Sequence, residues 1–464
     1  MKRFLKVTVT ILVLVMVGAV VAVSAMVRSF ATGQTEVRTW SSKKGSNEYS
    51  IRTEDNEWHW KHSENGIALE VKIRGQIEFA EDYSDITSIN DGGSIQITDE
   101  RGGSTRKFEA KSGAGGIQRQ YSVNGSQRAF DQEAKTWLAK VLDDTVRQGG
   151  YDARPRVRRI LQRGGPNAVL QEITTLKGDY VKRIYFDELL KNVKLDDAMV
   201  RQVLRQAATE IHSDYEKAEL LVQMSKDYLA TDAQRTIYIE GVNTLQSDYE
   251  KGRALGALLK KGNLSADNVL FALRAVKTVS SDYERAQLLI KTAEGFSLDE
   301  KSRAAYLEAM SSIQSDYEKG RVLASFIKKG SLEKDDLMFV IKTAPGISSD
   351  YERAQLLIKI ADEEKLDETS RVAFLDAVGT IKSDYEKGRV LGAFLKKGEP
   401  QKDTLLLAVK TASNITSDYE KAQFLIKVAN AGSNDESVRS ALVNAARTIQ
   451  SEYERGRVLS ALFK

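Results

Sequence analysis

Ser383-Asp384-Tyr385-Glu386-Lys387-Gly388-Arg389-Val390-Leu391 is one copy of a phrase that runs through the second half of the chain. Its Asp-Tyr pair recurs at Asp179, Asp214, Asp248, Asp282, Asp316, Asp350, Asp384 and Asp418, and Glu452-Tyr453 ends the series. The first step is 35 residues and every later one is 34. A fixed period of this length marks a solenoid of helix pairs, each too small to bury its apolar side without neighbours. Within each unit, Ser-x-x-Glu reads as a capping box opening the second helix, helix B. The serine oxygen accepts from the glutamate amide, and the glutamate reaches back to the serine amide. Asp384 and Glu386 lie in the first turn, where the helix dipole favours negative charge. Tyr385, Gly388, Leu391 and Leu395 read as the buried stripe of helix B. Lys396-Lys397-Gly398 closes it, with cations in the last turn and glycine beyond. The preceding helix A turns Leu375, Val378 and Ile381 inward.

The units come in two kinds, so the duplicated block is 68 residues, two periods of 34. One kind carries glycine in helix B, at Gly252, Gly320, Gly388 and Gly456; the other carries alanine, at Ala218, Ala286, Ala354 and Ala422. Residues this small at a fixed place are expected where two helices approach closely. The tetratricopeptide length is also 34, but that family's Trp, Leu-Gly, Tyr, Ala, Phe and Pro pattern is absent. At the first unit Gly178 replaces the serine and Val181 the glutamate, as in a degenerate capping repeat. The last unit keeps a full capping box at Ser451-Glu452-Tyr453-Glu454. Leu459, Leu462 and Phe463 are therefore candidates to dock a partner or a second copy of the chain.

Working back toward the N-terminus, the period changes to two. Ile67, Leu69, Val71 and Ile73 alternate with Ala68, Glu70, Lys72 and Arg74, and Asn65-Gly66 and Asn124-Gly125 are tight-turn signals. Six to eight short strands in one mostly antiparallel sheet or small sandwich are expected. In Trp58-His59-Trp60-Lys61-His62 the two histidines fall on opposite faces of a strand, so they do not converge on a metal. Between sheet and solenoid, Arg147, Arg154, Arg156, Arg158, Arg159 and Arg163 crowd together with Asp152 as the lone acid among them. Charge runs are usually solvated faces. The functional alternative makes Arg154, Arg156, Arg158 and Arg159 face anionic lipid headgroups.

At the start, Lys2, Arg3 and Lys6 precede an uncharged stretch over 7–27, long enough to cross a hydrocarbon core. It reads as an uncleaved anchor or, with small residues at Ser29 and Ala31, as a cleaved signal. Either way the basic flank keeps the remainder outside the cytoplasm. The expected order is a cytoplasmic 1–6, the membrane element 7–27, a polar tether 28–46 and a β domain 47–129. Capping helices with the degenerate unit follow over 130–199, then the solenoid over 200–464. A chain of 464 residues has room for several such domains. A net charge of +4, from 69 basic and 65 acidic residues, argues against a nucleic-acid partner. Having no cysteine excludes disulfides, thiol catalysis and cysteine-ligated zinc.

Several runs carry a family resemblance: Gly75-Gln76-Ile77-Glu78-Phe79-Ala80-Glu81-Asp82, Gly92-Gly93-Ser94-Ile95-Gln96-Ile97, Tyr121-Ser122-Val123-Asn124-Gly125, and Gly178 to Phe186. With the Ser-Asp-Tyr-Glu units, they resemble a set of uncharacterised bacterial envelope proteins in which a small β head precedes tandem helical repeats. The likeness to HEAT and tetratricopeptide solenoids is one of architecture only. The resemblance implies that architecture and an envelope address: a single-pass inner-membrane protein, or a periplasmic or secreted one if the signal is removed. Related tails can be joined to metallopeptidase modules, but His-Glu-x-x-His is absent, so that activity does not carry over. No Gly-x-Ser-x-Gly or phosphate-binding Gly-x-x-x-x-Gly-Lys occurs. The expectation is a non-catalytic scaffold without cofactor that binds envelope proteins through the solenoid. Its rivals are a sensor acting through a membrane partner and a glycan-acting enzyme.

Overall fold

The computed structural model describes residues 38–44, 47–54, 56–327, 332–397, 401–431 and 435–462. The membrane element expected over 7–27, the Gly398 expected to close a helix, and Phe463 lie outside these residues. Among the described residues, no helix is long and apolar enough to cross a membrane. A small antiparallel sheet is followed by 19 α-helices in solenoid-like order. The chain divides into two compact units that meet between Lys194 and Leu195.

In the first unit, eight strands form one antiparallel sheet in the order β1-β2-β3-β4-β7-β8-β9-β10. They are β1 (Arg38–Lys44), β2 (Asn47–Glu54), β3 (Glu57–Glu64), β4 (Ile67–Arg74), β7 (Ser94–Arg101), β8 (Ser104–Gly113), β9 (Gly116–Val123) and β10 (Ser126–Gln127). β5 (Ile77–Phe79) and β6 (Ile86–Ile89) make a separate hairpin. β1 occupies part of the stretch that composition assigns to a tether. Its register against β2, Arg38 opposite Thr53 through Lys44 opposite Asn47, extends the sheet at its edge.

Alternation sends Trp60, Leu69, Val71, Ile73, Ile95, Ile97 and Phe108 to one face, where all are buried. Helix α1 (Gln132–Arg147) lies in the same core through Trp137, Leu138, Val141 and Leu142. A one-sided sheet needs such a cover, and an amphipathic helix supplies it. The Trp137 indole N–H donates to the buried Asp99 carboxylate at 2.8 Å, and Arg101 meets the same carboxylate at 2.7 Å. Two further helices, α2 (Ala153–Ile173) and α3 (Asp179–Asn192), complete this unit.

The second unit alternates A and B helices. The B helices are Asp214–Asp227, Asp248–Lys261, Asp282–Gly295, Asp316–Ile327, Asp350–Glu363, Asp384–Phe394, Asp418–Asn430 and Glu452–Leu462. Each of these helices packs on the next, in one unbroken row. The A helices stack beside them, for example Asp197–Glu210 on Asp232–Val242 and Glu368–Gly379 on Lys402–Ser413. The 68-residue duplication shows in the core. Tyr238, Tyr306, Phe374 and Leu442 stand at one A-helix position 68 residues apart, and all are fully buried. Tyr306 stacks on Phe326 and Phe374 on Phe394, at ring-centroid separations of 5.0 and 5.5 Å.

Candidate interaction surface

The expected stripe through Tyr385 is corrected by the structure. Val390, Leu391 and Phe394 face the core, whereas Tyr385 is 60% exposed. A helix turns about 100° per residue, so steps of three drift backward by about 60° each. Tyr385 is five residues from Val390, which places it about 140° from the core direction. The same position is exposed at Tyr249, Tyr283, Tyr317, Tyr351, Tyr419 and Tyr453. Seven tyrosines in a row, one at the start of each B helix from Asp248–Lys261 onward, are exposed; Tyr215 in the first B helix is half-buried.

The first turn around each ring is firmly built. The N-cap serine accepts the amide three residues on, as Ser383 Oγ does from Glu386 N at 3.4 Å. The other half of the capping box is replaced. Ser383 N–H donates to Asp350 Oδ2 of the preceding unit at 2.7 Å, and Lys382 N–H to the same oxygen at 3.0 Å. The link repeats from Asp214 to Gln246 and Ser247, from Asp248 to Ser280 and Ser281, and from Asp384 to Thr416 and Ser417. Asp282, Asp316 and Asp418 do the same for Ser315, Ser349 and Ser451. The motif aspartates from Asp214 to Asp418 therefore cap the following helix and tie adjacent units together.

Freed from the capping box, the glutamates turn inward. In the glycine units Glu250, Glu318, Glu386 and Glu454 are buried and meet Arg253, Arg321, Arg389 and Arg457 at 2.7 Å. Three of those arginines also lie over the tyrosine one turn earlier: Arg321 over Tyr317 at 5.7 Å, Arg389 over Tyr385 at 5.8 Å and Arg457 over Tyr453 at 5.9 Å. In the alanine units the glutamate reaches back over the preceding glycine. A Cβ at Gly252 would come within 2.5 Å of Glu284 Oε2, and one at Gly388 within 2.8 Å of Glu420 Oε2. The alternation thus makes room for a carboxylate, a role different from the backbone approach expected. Burial pushes the Glu284 carboxyl up, opposed by Lys291. The alanine units also bury Arg285 and Arg353, whose guanidinium groups donate to carbonyls at A-helix ends: Ser312 O at 3.0 Å and Thr380 O at 2.7 Å.

The arginine cluster in the first unit is paired throughout. Arg156 meets Glu172 at 2.9 Å and lies over the Tyr83 ring at 4.8 Å. Arg159 meets Asp152, Arg163 meets Glu81 and Arg147 meets Asp143. Arg154 and Arg158 share Glu188, a buried carboxylate, at 3.5 and 3.6 Å. Asp143 and Asp152 are local partners, whereas Glu172, Glu188 and Glu81 come from farther along the chain. At the far end, Leu459 and Leu462 are half-buried, whereas Leu255, Leu323 and Leu391, the counterparts of Leu459, are fully buried.

On β3, Trp58, Trp60 and His62 share the covered face and His59 the other. His59 Nε2 is 2.7 Å from Glu70 Oε1. His62 stacks on Trp60, and burial lowers its pKa. No group of three metal-ligating side chains stands together among the described residues. No family model, curated protein or solved structure matches the chain.

Proposed function

We propose that this chain is a non-catalytic scaffold that binds protein partners through its solenoid. In this reading the apolar stretch over 7–27 holds it at the bacterial cell envelope, with the solenoid outside the cytoplasm. The exposed tyrosine row carries the proposal. Tyrosine joins a large apolar ring to a hydrogen-bonding hydroxyl and has little rotamer freedom to lose, which suits a binding surface. Seven such rings at equivalent positions, each more than half exposed, stabilise little in the fold itself. The network beneath them, by contrast, holds them in place through capping aspartates and buried ion pairs.

The test is capture from detergent-solubilised bacterial membranes by the tagged full-length chain. A parallel capture uses a variant carrying Tyr317→Ser, Tyr351→Ser and Tyr385→Ser. The scaffold reading expects a defined protein held by wild type and lost by the variant, with unchanged circular dichroism. Capture that is equal in the two would refute it.

A further inference from the structure

We infer that His62 is a proton-operated switch at the joint between the sheet and the degenerate first repeat. Its neutral ring seats the turn that ends α1, and its protonation unseats that turn. All parts of this joint belong to the first unit. On the sheet side, the His62 ring stacks on Trp60 at a centroid distance of 6.2 Å and meets Tyr49 edge-on at 6.1 Å. On the helix side, Gln148 Nε2 lies 3.3 Å from His62 Nε2, and the Gln148 carbonyl accepts from the Tyr49 hydroxyl. The seat is close-fitting. A Cβ at Gly149 would come within 2.9 Å of Trp60 Cδ2, and one at Gly178 would stand 3.1 Å from Gln148 O. Gly178 is the position where the first unit lacks its N-cap serine, and Val181, where it lacks its glutamate, is fully buried beside Gly150. The two departures from Ser-x-x-Glu are therefore the places where α3 closes on this turn.

The seat is made for a neutral ring. The Gln148 amide nitrogen can only donate, so His62 Nε2 accepts and the ring proton stands on Nδ1. That nitrogen is buried and meets no hydrogen-bond partner. A second proton, on Nε2, would point N–H at N–H and leave a buried N–H of a cation without an acceptor. The groups around the ring offer little in return. On its own strand Glu64 is 3.8 Å away and exposed. Tyr49 on β2 presents its ring, and the residue opposite on β4 is the apolar Leu69. Asp144 on α1 is engaged by Lys177 at 2.5 Å, and Arg101 on β7 by Asp99 at 2.7 Å. Burial lowers the His62 pKa more than Glu64 and Asp144 raise it, and Arg101 adds to the lowering. The seat is therefore whole above the unfolded-chain value near 6.5 and is lost as pH falls through the lower folded value. Histidine is the side chain whose charge changes in this range.

The test is hydrogen exchange of the full-length chain in detergent between about pH 7.5 and pH 5, with rates corrected for their intrinsic pH dependence. The amides to follow are those of Gly149, Gly150 and Lys177, which donate to the Asp144, Val146 and Arg147 carbonyls. They should lose protection by about twofold or more at the acid end. His62→Phe keeps an aromatic ring that takes no proton, so its protection at acid pH should stay at the neutral level. His59→Gln, on the other face of the strand, should leave the loss intact. With only three histidines in the chain, carbon-13 labelling of histidine lets the His62 ring be titrated in the same sample. Its midpoint should coincide with the loss of protection. An unchanged wild type, or an equal loss in His62→Phe, would overturn the inference. So would a His62 ring that titrates while protection holds, because Gln148 would then have turned its amide over and kept the turn seated. If circular dichroism shows His62→Phe unfolded at neutral pH, the wild-type titration decides: coincident midpoints support the switch, and separate ones overturn it.

Discussion

Removing a single clamp, Asp384→Ala, should uncouple two units at a known place. Asp384 Oδ2 accepts from Thr416 N–H at 2.9 Å and Ser417 N–H at 2.7 Å, and from the Thr416 hydroxyl. A hydrogen bond to a charged group contributes about 1.5–3 kcal/mol. Thr416 is exposed, so water replaces most of its share; Ser417 is half-buried and loses more. The net cost is then about 2 kcal/mol, and Asp384→Asn, which keeps a neutral acceptor, should cost about half. Long repeat arrays do not melt as one two-state unit, so the effect is best read locally. Native-state hydrogen exchange at the Ser417 amide should accelerate by about 30-fold in Asp384→Ala. The pH dependence is also fixed. Burial pushes the Asp384 carboxyl up, but the bonds from the Thr416 hydroxyl and the two amides outweigh it and hold it below the usual aspartate range. Its contribution is whole above the unfolded value near 3.9 and is lost as pH falls through the lower folded value. Exchange at Ser417 that changes by less than about threefold in the alanine variant would refute the clamp.

Gly456→Ala should stabilise by about 0.5–1 kcal/mol in urea melts, because nothing stands within 4 Å of its added Cβ. Gly252→Ala should gain nothing, since it must displace the Glu284 carboxylate; equal gains would contradict the seating of glutamate over glycine. Arg353→Met should cost about 2–4 kcal/mol by orphaning the Ile347 and Thr380 carbonyls, and Arg353→Lys should recover less than half. Tyr83 is buried and its hydroxyl is pushed up to about 12 by that burial. Its share of first-unit stability should hold below about pH 10 and fall as pH rises toward about 12, with Tyr83→Phe raising the alkaline midpoint seen by circular dichroism.

The solenoid is legible in the sequence because one phrase returns at one period, and the hairpins because Asn-Gly pairs demand their turns. What the sequence hides is whatever depends on a partner far along the chain. Asp350 looks like a dipole residue until its acceptor oxygen meets amides 32 and 33 residues later. Arg163 looks unpaired until the fold brings Glu81 to it across 82 residues. The tyrosines fall off the apolar stripe for a local reason. Steps of three approximate the helical period over one turn and fail over two. The stripe Trp137, Leu138, Val141, Leu142 announces an amphipathic helix but does not say that a sheet is what it covers.

The most direct test of the binding claim is site-specific photo-crosslinking in living bacteria, with a benzophenone amino acid at Tyr351 or at Val372. Both side chains are exposed, at 55% and 42%, but Val372 lies on an A helix away from the tyrosine row. A discrete protein adduct from position 351 and none from 372 is the predicted result. No adduct at 351, or the same adducts from both positions, would contradict a scaffold that binds through its tyrosines.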